Sequence, residues 1–390
     1  MSLIAATKAS YKNNPLIWIL GSGIIARLLA VFFSGGYIAS DDHFLVVHYA
    51  WRWLRDDTIW MFDPNRGGHS LLYPGVHMLL FKVLHAIGVV NTEVQMTINR
   101  FLHAIWSIPI IWLGYRFVER ATTERRFAEL TGWLLALLWI VPAFSVYQLG
   151  EMVSAVPLFI AILKAERNRE TDSTKEWLIA GLWLGFAVSL RYQIGFAAVG
   201  MFIALLIRGR WRGALLLTVG ALLGTIPLGI LDWVMLGTPY ANPIQYFTYN
   251  SSGEMYKYVN RPWYNYILLI LGVFIPPFSF LLFGGMFKAY KKLPVLFGGT
   301  LAFLIVHSII PNKQERFIAT ILPTLVVVGV TGIAIWLKAE RFRLSERFLR
   351  ISLIIFWCLN LPVMVGTVVN YNRRAEIKSL AALQADVQLQ

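Results

Sequence analysis

The sequence predicts an all-α, polytopic membrane protein: one bundle of about eleven transmembrane helices with a partly helical first outer loop. Three observations carry this prediction. Mean hydropathy is +0.60 and 57% of residues are hydrophobic. Only 14% of residues are charged, against the ~25% usual in soluble domains. Apolar runs of roughly 18 residues or more recur along the 390-residue chain, each long enough to cross a ~30 Å hydrocarbon layer.

Taken in order, the crossings fall at roughly 15–33, 94–116, 128–143, 148–164, 177–190, 192–207, 214–236, 263–286, 294–310, 317–337 and 351–370. The first is too long for the apolar region of a signal peptide and lacks a small-residue cleavage site, so it reads as a retained anchor. Residues 34–93 form the first outer loop. Within it, 56–74 is rich in Asp, Gly, Pro and aromatics and reads as an ordered loop without a helix. The stretch 73–90 holds Lys82 and two histidines and reads as a membrane-surface or re-entrant helix. Two further outer segments are the tyrosine-rich 237–262 and the basic turn 310–316. Tyr and Trp favour the headgroup level, and aromatic rings there can also flank sugars. All of this reads as a single domain, 1–390, without internal repeats or low-complexity tracts.

The formal charge of +14 does not point to nucleic acid, because the basic residues cluster in short loops between apolar segments. With a cytoplasmic N-terminus, about 21 of the 35 Lys and Arg residues fall in short cytoplasmic segments. That asymmetry is what the positive-inside rule expects, and it places loop 34–93 on the non-cytoplasmic side. The lone Cys358 excludes an intramolecular disulfide and a cysteine-rich metal site.

Asp41 and Asp42 are the foremost candidates for chemistry, since they follow the first crossing directly. A carboxylate at the lipid–water boundary can take the proton of an incoming hydroxyl, a role worth ~10²–10⁴ in rate. The neighbouring acid, or burial, would raise one pKa toward a useful value. A solvated acidic loop would show the same dipeptide. Arg191 interrupts the apolar run "WLGFAVSLRYQIGFAAVG". Centring an arginine in lipid costs at least ~2.5 kcal/mol, which places it at an outer turn. There it can snorkel or bind a lipid phosphate bidentately. The turn "HSIIPNKQERF" brings Lys313, Glu315 and Arg316 together on the same side, with His307 a turn or so earlier. Such a cluster can neutralise charge developing on a phosphate leaving group.

Arg27 and Arg100 lie within apolar segments and are expected to pair inside the bundle or to snorkel; Glu151 is a candidate partner for one of them. His43, His69, His77 and His85 lack a metal-ligand spacing such as HExxH. Gly-rich nucleotide loops are also absent from the sequence. The natural donor is then a lipid-linked sugar, not a cytosolic nucleotide sugar.

In their order these pieces resemble the dolichyl-phosphate-mannose-dependent α-mannosyltransferases of glycosyltransferase family 22. "ASDDHF" matches the family's "HPDExF" at Asp41, at the acid Asp42 and at Phe44. "IWMFDP" matches "TWEWxP" at Trp60 and Pro64, and "HSLLYP" matches "RSxxYP" at Ser70, Tyr73 and Pro74. Asp232, Gly237, Pro243, Phe247 and Asn250 fall in register with a later family stretch. "RPWYNY" keeps Pro262, Trp263, Tyr264 and Tyr266 of "HPWYWY". "NKQERF" keeps Lys313, Arg316 and Phe317 of "HKExRF". Several flanking polar groups differ: Ala39, Ser40, Met61, His69, Asn312 and Gln314 stand where the family has His, Pro, an acid, Arg, His and Glu.

The resemblance implies a GT-C type membrane bundle and inverting transfer of a hexose, most simply mannose, from a polyprenyl-phosphate carrier to a hydroxyl of a lipid-linked or glycan acceptor. Asp41 would be the general base, with Asp42 orienting the hydroxyl or tuning Asp41. Arg191, Lys313, Arg316, Arg261 and His69 are the candidates for the donor phosphate, with Trp60, Tyr73 and Trp263 as further substrate contacts. No cofactor is expected, although the carboxylate pair could hold a divalent ion through oxygen ligands. The implied location is a bacterial inner membrane, or the endoplasmic reticulum in a eukaryote. The rival class is a transporter or flippase of lipid-linked sugars. Transporters show repeats and midplane polar residues, whereas here the ionisable residues gather at one surface.

Overall fold

The computed structural model describes residues 10–40, 43–63, 67–253, 260–341 and 343–377. These residues are almost wholly helical, and the helices run in both directions through one bundle. The first crossing is α1 (Pro15–Phe33). The loop behind it holds a π-helical segment (His43–His48), α2 (Tyr49–Leu54), a 3₁₀ turn (Ile59–Phe62) and α3 (Leu72–Ala86). The bundle continues through α4 (Thr92–Thr122), α5 (Arg125–Leu137), α6 (Val141–Phe144), α7 (Gly150–Thr171), α8 (Thr174–Leu190) and α9 (Gly195–Ile207). It closes with α10 (Trp211–Leu236), α11 (Ala241–Ser251), α12 (Asn265–Val273), α13 (Phe278–Ala289), α14 (Pro294–Ile309), α15 (Leu322–Leu337) and α16 (Glu346–Val368).

Among the described residues, five helical stretches are long and apolar enough to cross a membrane: α1, α4, α10, Glu315–Leu337 and α16. The expected span 263–286 is not one helix. It breaks into α12 and α13, bent by 115°, because Pro276 and Pro277 supply no N–H donors and their rings clash with a continuing helix. Counting that pair as one gives up to six such spans, with shorter apolar helices at Tyr192–Ile207 and Pro294–Ile309. The count of about eleven took in segments such as α5 and α7, whose ends carry charges and whose inner faces are packed within the bundle. The outer segment 237–262 holds a helix, α11. Gly237, at φ 75, ends α10 in a left-handed turn. Asp232 then accepts the backbone N–H of Asn242 at 2.9 Å, which satisfies a donor in the first turn of α11.

Helix pairs meet through small residues. Gly181 and Gly185 of α8 lie against Gly220 and Gly224 of α10 so closely that a Cβ on Gly185 would sit 2.0 Å from the Ala221 carbonyl oxygen. Small-xxx-small spacing permits this approach where lipid supplies no hydrophobic drive between helices. Arginine side chains close other helix ends. Arg27 donates to Ser107 Oγ at 2.7 Å and to the carbonyls of Ala136 (3.1 Å) and Leu135 (3.3 Å), which belong to the last turn of α5. Arg100 donates to the Val31 carbonyl near the end of α1. Both arginines therefore satisfy orphan carbonyls, and neither pairs with Glu151 as expected.

The two ends of the bundle differ in character. At one end the basic loops are laced by ion pairs, among them Lys338–Glu124, Arg126–Glu346, Lys164–Glu176 and Arg212–Asp172. The other end carries the described parts of 34–93, the start of α7, the α8–α9 turn, α11 and the turn 310–316.

Candidate active site

Three chain segments converge at that second end. Glu151 lies in the first turn of α7, where the helix N-terminus favours a carboxylate. Arg191 is the C-cap of α8, its backbone extended at φ −151 and ψ 109, so the side chain leaves the helix sideways. Arg316 lies in the 3₁₀ segment Glu315–Ile321.

Both guanidinium groups reach one carboxylate oxygen. Arg191 Nη2 is 2.7 Å and Arg316 Nε 3.1 Å from Glu151 Oε1. Glu151 is fully buried, and its second oxygen, Oε2, has no hydrogen-bond partner among the described residues. The ring of Phe317 lies under the pair, with guanidinium carbons 5.0 Å (Arg191) and 5.7 Å (Arg316) from its centroid. Thr320 Oγ1 also donates to the Glu151 carbonyl at 3.4 Å. The three charged side chains together carry one net positive charge.

An aromatic wall closes the neighbourhood. Tyr192 and Tyr246 meet edge to face at 5.2 Å, and His69 meets Tyr246 edge to face at 5.9 Å. Burial pushes the Tyr246 hydroxyl up in pKa, while Arg191 acts in the opposite sense. His307 stacks on Phe303 at 3.9 Å and meets Phe317 edge to face.

Lys313 and Arg261 brace this region from other positions. Lys313 Nζ is buried and donates to the carbonyls of Ser308 (2.8 Å), His307 (3.2 Å) and Ile310, closing the end of α14. Burial lowers the pKa of its ammonium. Expected at a donor phosphate, Lys313 instead spends its three protons on backbone oxygens. Arg261 pairs with Glu315 at 2.9 Å in an exposed position, and its N–H donates to the Pro311 carbonyl. It thereby ties 260–262 to the turn 310–316.

The remaining sequence-nominated residues stand in separate clusters. Trp60 is buried and stacks on Tyr49 at 4.0 Å, close to the end of α10. Tyr73 joins α3 to α4 through a 2.6 Å hydrogen bond with His103. Trp263 is 64% exposed beside Tyr264. Asp41 and Asp42 lie outside the described residues. Their flanks are fixed on both sides. Tyr147 Oη donates to the Gly35 carbonyl at 3.3 Å, four residues before Glu151, and Tyr37 stacks on His43 at 4.8 Å. The start of the loop is thus fastened to the segment that leads into Glu151. Among the described residues no three His, Cys, Asp or Glu side chains group as metal ligands.

Sequence reasoning missed the role of Glu151. Its signal was present: an acid at the first turn of a crossing, with basic residues at two other turns assigned to the same side. Which cation it meets is a tertiary matter.

This helical bundle defines a GT-C type membrane glycosyltransferase fold. The match to ArnT from Cupriavidus metallidurans bound to undecaprenyl phosphate has a TM-score of 0.60 at 16% identity, over 87% of this chain and 62% of that one. The archaeal oligosaccharyltransferase AglB from Archaeoglobus fulgidus, in complex with an inhibitory peptide and a dolichol-phosphate, gives a TM-score of 0.56 at 14% identity, over 93% and 56%. At such identities the likeness concerns fold alone.

The chain belongs to the Alg9-like mannosyltransferase family, whose model matches residues 18–389. It is 23% identical to mannosyltransferase APTG1 of Arabidopsis thaliana over 306 residues, 75% of this chain and 54% of the relative. It is also 23% identical to a probable Dol-P-Man:Man(7)GlcNAc(2)-PP-Dol alpha-1,6-mannosyltransferase of Schizosaccharomyces pombe over 344 residues, 85% of this chain and 60% of the relative. The chain therefore spans little more than half the length of these curated relatives.

Proposed function

We propose that this protein is a polyprenyl-phosphate-sugar-dependent glycosyltransferase that moves a hexose, mannose in the first instance, onto a hydroxyl of a lipid-linked or glycan acceptor. The observation that carries the reading is the convergence of Arg191 and Arg316 on Glu151, at the bundle end where the described parts of 34–93 lie. Family membership supports the transfer chemistry. The names of two similar proteins, one a Dol-P-Man-dependent enzyme and the other bound to undecaprenyl phosphate, support the class of donor.

In the reaction, Asp41 takes the proton of the acceptor hydroxyl, whose oxygen attacks the anomeric carbon from the face opposite the phosphate. The bond from that carbon to the phosphate oxygen breaks, and its electron pair leaves on the polyprenyl phosphate. The configuration at the anomeric carbon inverts. Asp42 orients the acceptor hydroxyl. Arg191 and Arg316 hold the phosphate, since planar guanidinium forks match its oxygens, and they act where charge develops as the carrier departs. His69, which meets Tyr246 edge to face, is a further candidate for the donor phosphate. The scheme needs no metal, and the site faces the non-cytoplasmic side, as the basic-loop asymmetry supports.

The test incubates purified protein with a panel of polyprenyl-phosphate sugars and follows consumption of each donor, with and without chelator. Chelator-insensitive consumption of the mannosyl donor, abolished in a folded Asp41→Asn variant, is the expected result. Near-normal turnover in that variant rejects the assignment of the base.

A further inference from the structure

A groove of about 580 Å³ opens between α5 and α16, at the bundle end opposite the Arg191 cluster. Phe127 and Leu130 line it from α5, and Leu353, Ile354 and Trp357 line it from α16. The α16 residues recur at helical spacing, so they form one continuous apolar stripe. Cys358 is the lining residue furthest along α16, eight residues past Arg350. At 1.5 Å per residue that distance is ~12 Å. One leaflet of a bilayer offers ~15 Å of hydrocarbon, so the groove runs through most of one leaflet.

The rim of the groove is charged. Arg126 donates to Glu124 and to Glu346, each at 2.9 Å, and so ties the starts of α5 and α16 together. The two acids near the rim are therefore both engaged by Arg126, and Glu124 also meets Lys338. Arg126 and Glu346 are about half exposed, and pairs of that kind hold weakly. These bonds use two of the five donors on the guanidinium. Arg350 lies one turn beyond Glu346, is exposed, and makes no ion pair with the described residues. The run 338–350 carries five Lys or Arg against two Glu.

An apolar crevice beside a membrane-crossing helix fills with hydrocarbon, since water finds no hydrogen-bonding partners on such walls. The arginines at its rim select the headgroup. Planar guanidinium forks match phosphate oxygens, and basic pockets between membrane helices hold anionic lipid headgroups. A second copy of the chain fits less well. In one bilayer it would present its own basic run at the same depth, which like charge disfavours.

We propose that this groove binds one anionic phospholipid, its acyl chain along Leu353 and Trp357 and its phosphate between Arg126 and Arg350. The lipid bridges α5 and α16, and so fastens a helix whose apolar window is only 22% buried by protein.

Cys358 is the sole cysteine of the chain and lies in the groove, so its reactivity reports occupancy. Full-length protein is placed in nanodiscs of phosphatidylcholine, alone or with increasing phosphatidylglycerol. Alkylation of Cys358 by uncharged N-ethylmaleimide is then timed. Phosphatidylglycerol is expected to slow it severalfold. In Arg350→Gln the phosphatidylglycerol content that gives half-maximal protection rises roughly fivefold, as expected for one basic residue at a lipid headgroup. Arg350→Lys, which keeps the charge, stays nearer wild type. A Cys358→Ser/Ile355→Cys protein moves the thiol to a part of α16 outside the groove lining. Its rate is expected to be insensitive to phosphatidylglycerol.

Equal Cys358 rates in the two kinds of bilayer, or equal slowing of both thiols, overturn the proposal. Protection that needs no phosphatidylglycerol and vanishes when residues 2–9 are deleted overturns it in favour of the chain's own N-terminal segment. Protection confined to discs that hold two copies overturns it in favour of a second chain.

Discussion

Arg191 and Glu151 form a 2.7 Å ion pair whose carboxylate is wholly shielded from solvent, joining the end of α8 to the start of α7. The two segments lie forty residues apart in sequence. Their meeting is set by α8 running antiparallel beside α7, so that the last residue of one faces the first turn of the other. Arg316 then arrives from the turn before α15. The site is thus built from helix ends, which rigid neighbours hold in place.

Removing Arg191 should expose the energetics of this cluster. Breaking a buried pair by deleting one partner costs about 3–5 kcal/mol because a charge is left uncompensated. Arg316 remains bound to Glu151, so Arg191→Ala is expected at the lower end of that range. Thermal unfolding in detergent should show Glu151→Ala/Arg191→Ala to be more stable than Arg191→Ala. If the double variant equals the sum of the two single losses, the pair is not coupled.

Contact between α8 and α10 should be intolerant of any side chain at Gly185. A Cβ there would lie 2.0 Å from the Ala221 carbonyl oxygen, so the helices would have to separate. Gly185→Leu is expected to cost at least the 1–3 kcal/mol typical of overpacking. Gly272→Ala is the control, because its Cβ meets nothing within 4 Å. Equal midpoints for the two variants would show that the close packing is unimportant.

Asp232 should matter for stability through its link to α11. Both Asp232 and Asn242 are fully buried, and the carboxylate receives the Asn242 backbone N–H and side-chain amide. Asp232→Ala removes this buried acceptor, at a cost of about 1–3 kcal/mol. Limited proteolysis should cut near 237–262 faster in the variant, and an unchanged cleavage rate would count against this role.

Acid should weaken the packing of α3 through His77. Burial holds the His77 imidazole down to about 3, with His103 adding to the shift, whereas the unfolded side chain titrates near 6.5. Between those values the unfolded state binds more protons, so stability rises with pH up to about 6.5 and is lost as pH falls below it. The loss attributable to His77 at pH 5 is about 2 kcal/mol. His43 and His48 are also lowered, mainly by burial, and act in the same direction. The melting temperature should therefore drop between pH 7 and 5, with a shallower slope in His77→Gln. A slope identical to wild type would reject the assignment.

Helices with a long uninterrupted apolar pattern were legible in the sequence. The first and last spans, 15–33 and 351–370, fall on α1 and α16 within a few residues. The surface helix expected over 73–90 corresponds to α3, Leu72–Ala86. The sequence reading failed where local chemistry competes with hydropathy. Pro276 and Pro277 split an apolar run, and Asp232 anchors a helix, α11, within the tyrosine-rich segment 237–262.

Candidate site residues were legible by type more than by partner. Arg191 stands at a turn, as the cost of burying its charge in lipid required. Lys313, expected to serve phosphate, closes a helix end instead. Chemistry alone does not separate these roles, since both helix carbonyls and phosphate oxygens accept from a cation.

By itself the sequence determined the membrane class, the asymmetry of basic loops and the set of ionisable residues at one surface. Those properties follow from transfer free energies that act residue by residue. Only the tertiary structure decided that Glu151 draws Arg191 and Arg316 to one oxygen while Arg27 and Arg100 turn to helix carbonyls. Pairing depends on distances between segments remote in the chain, and helix packing alone sets those distances.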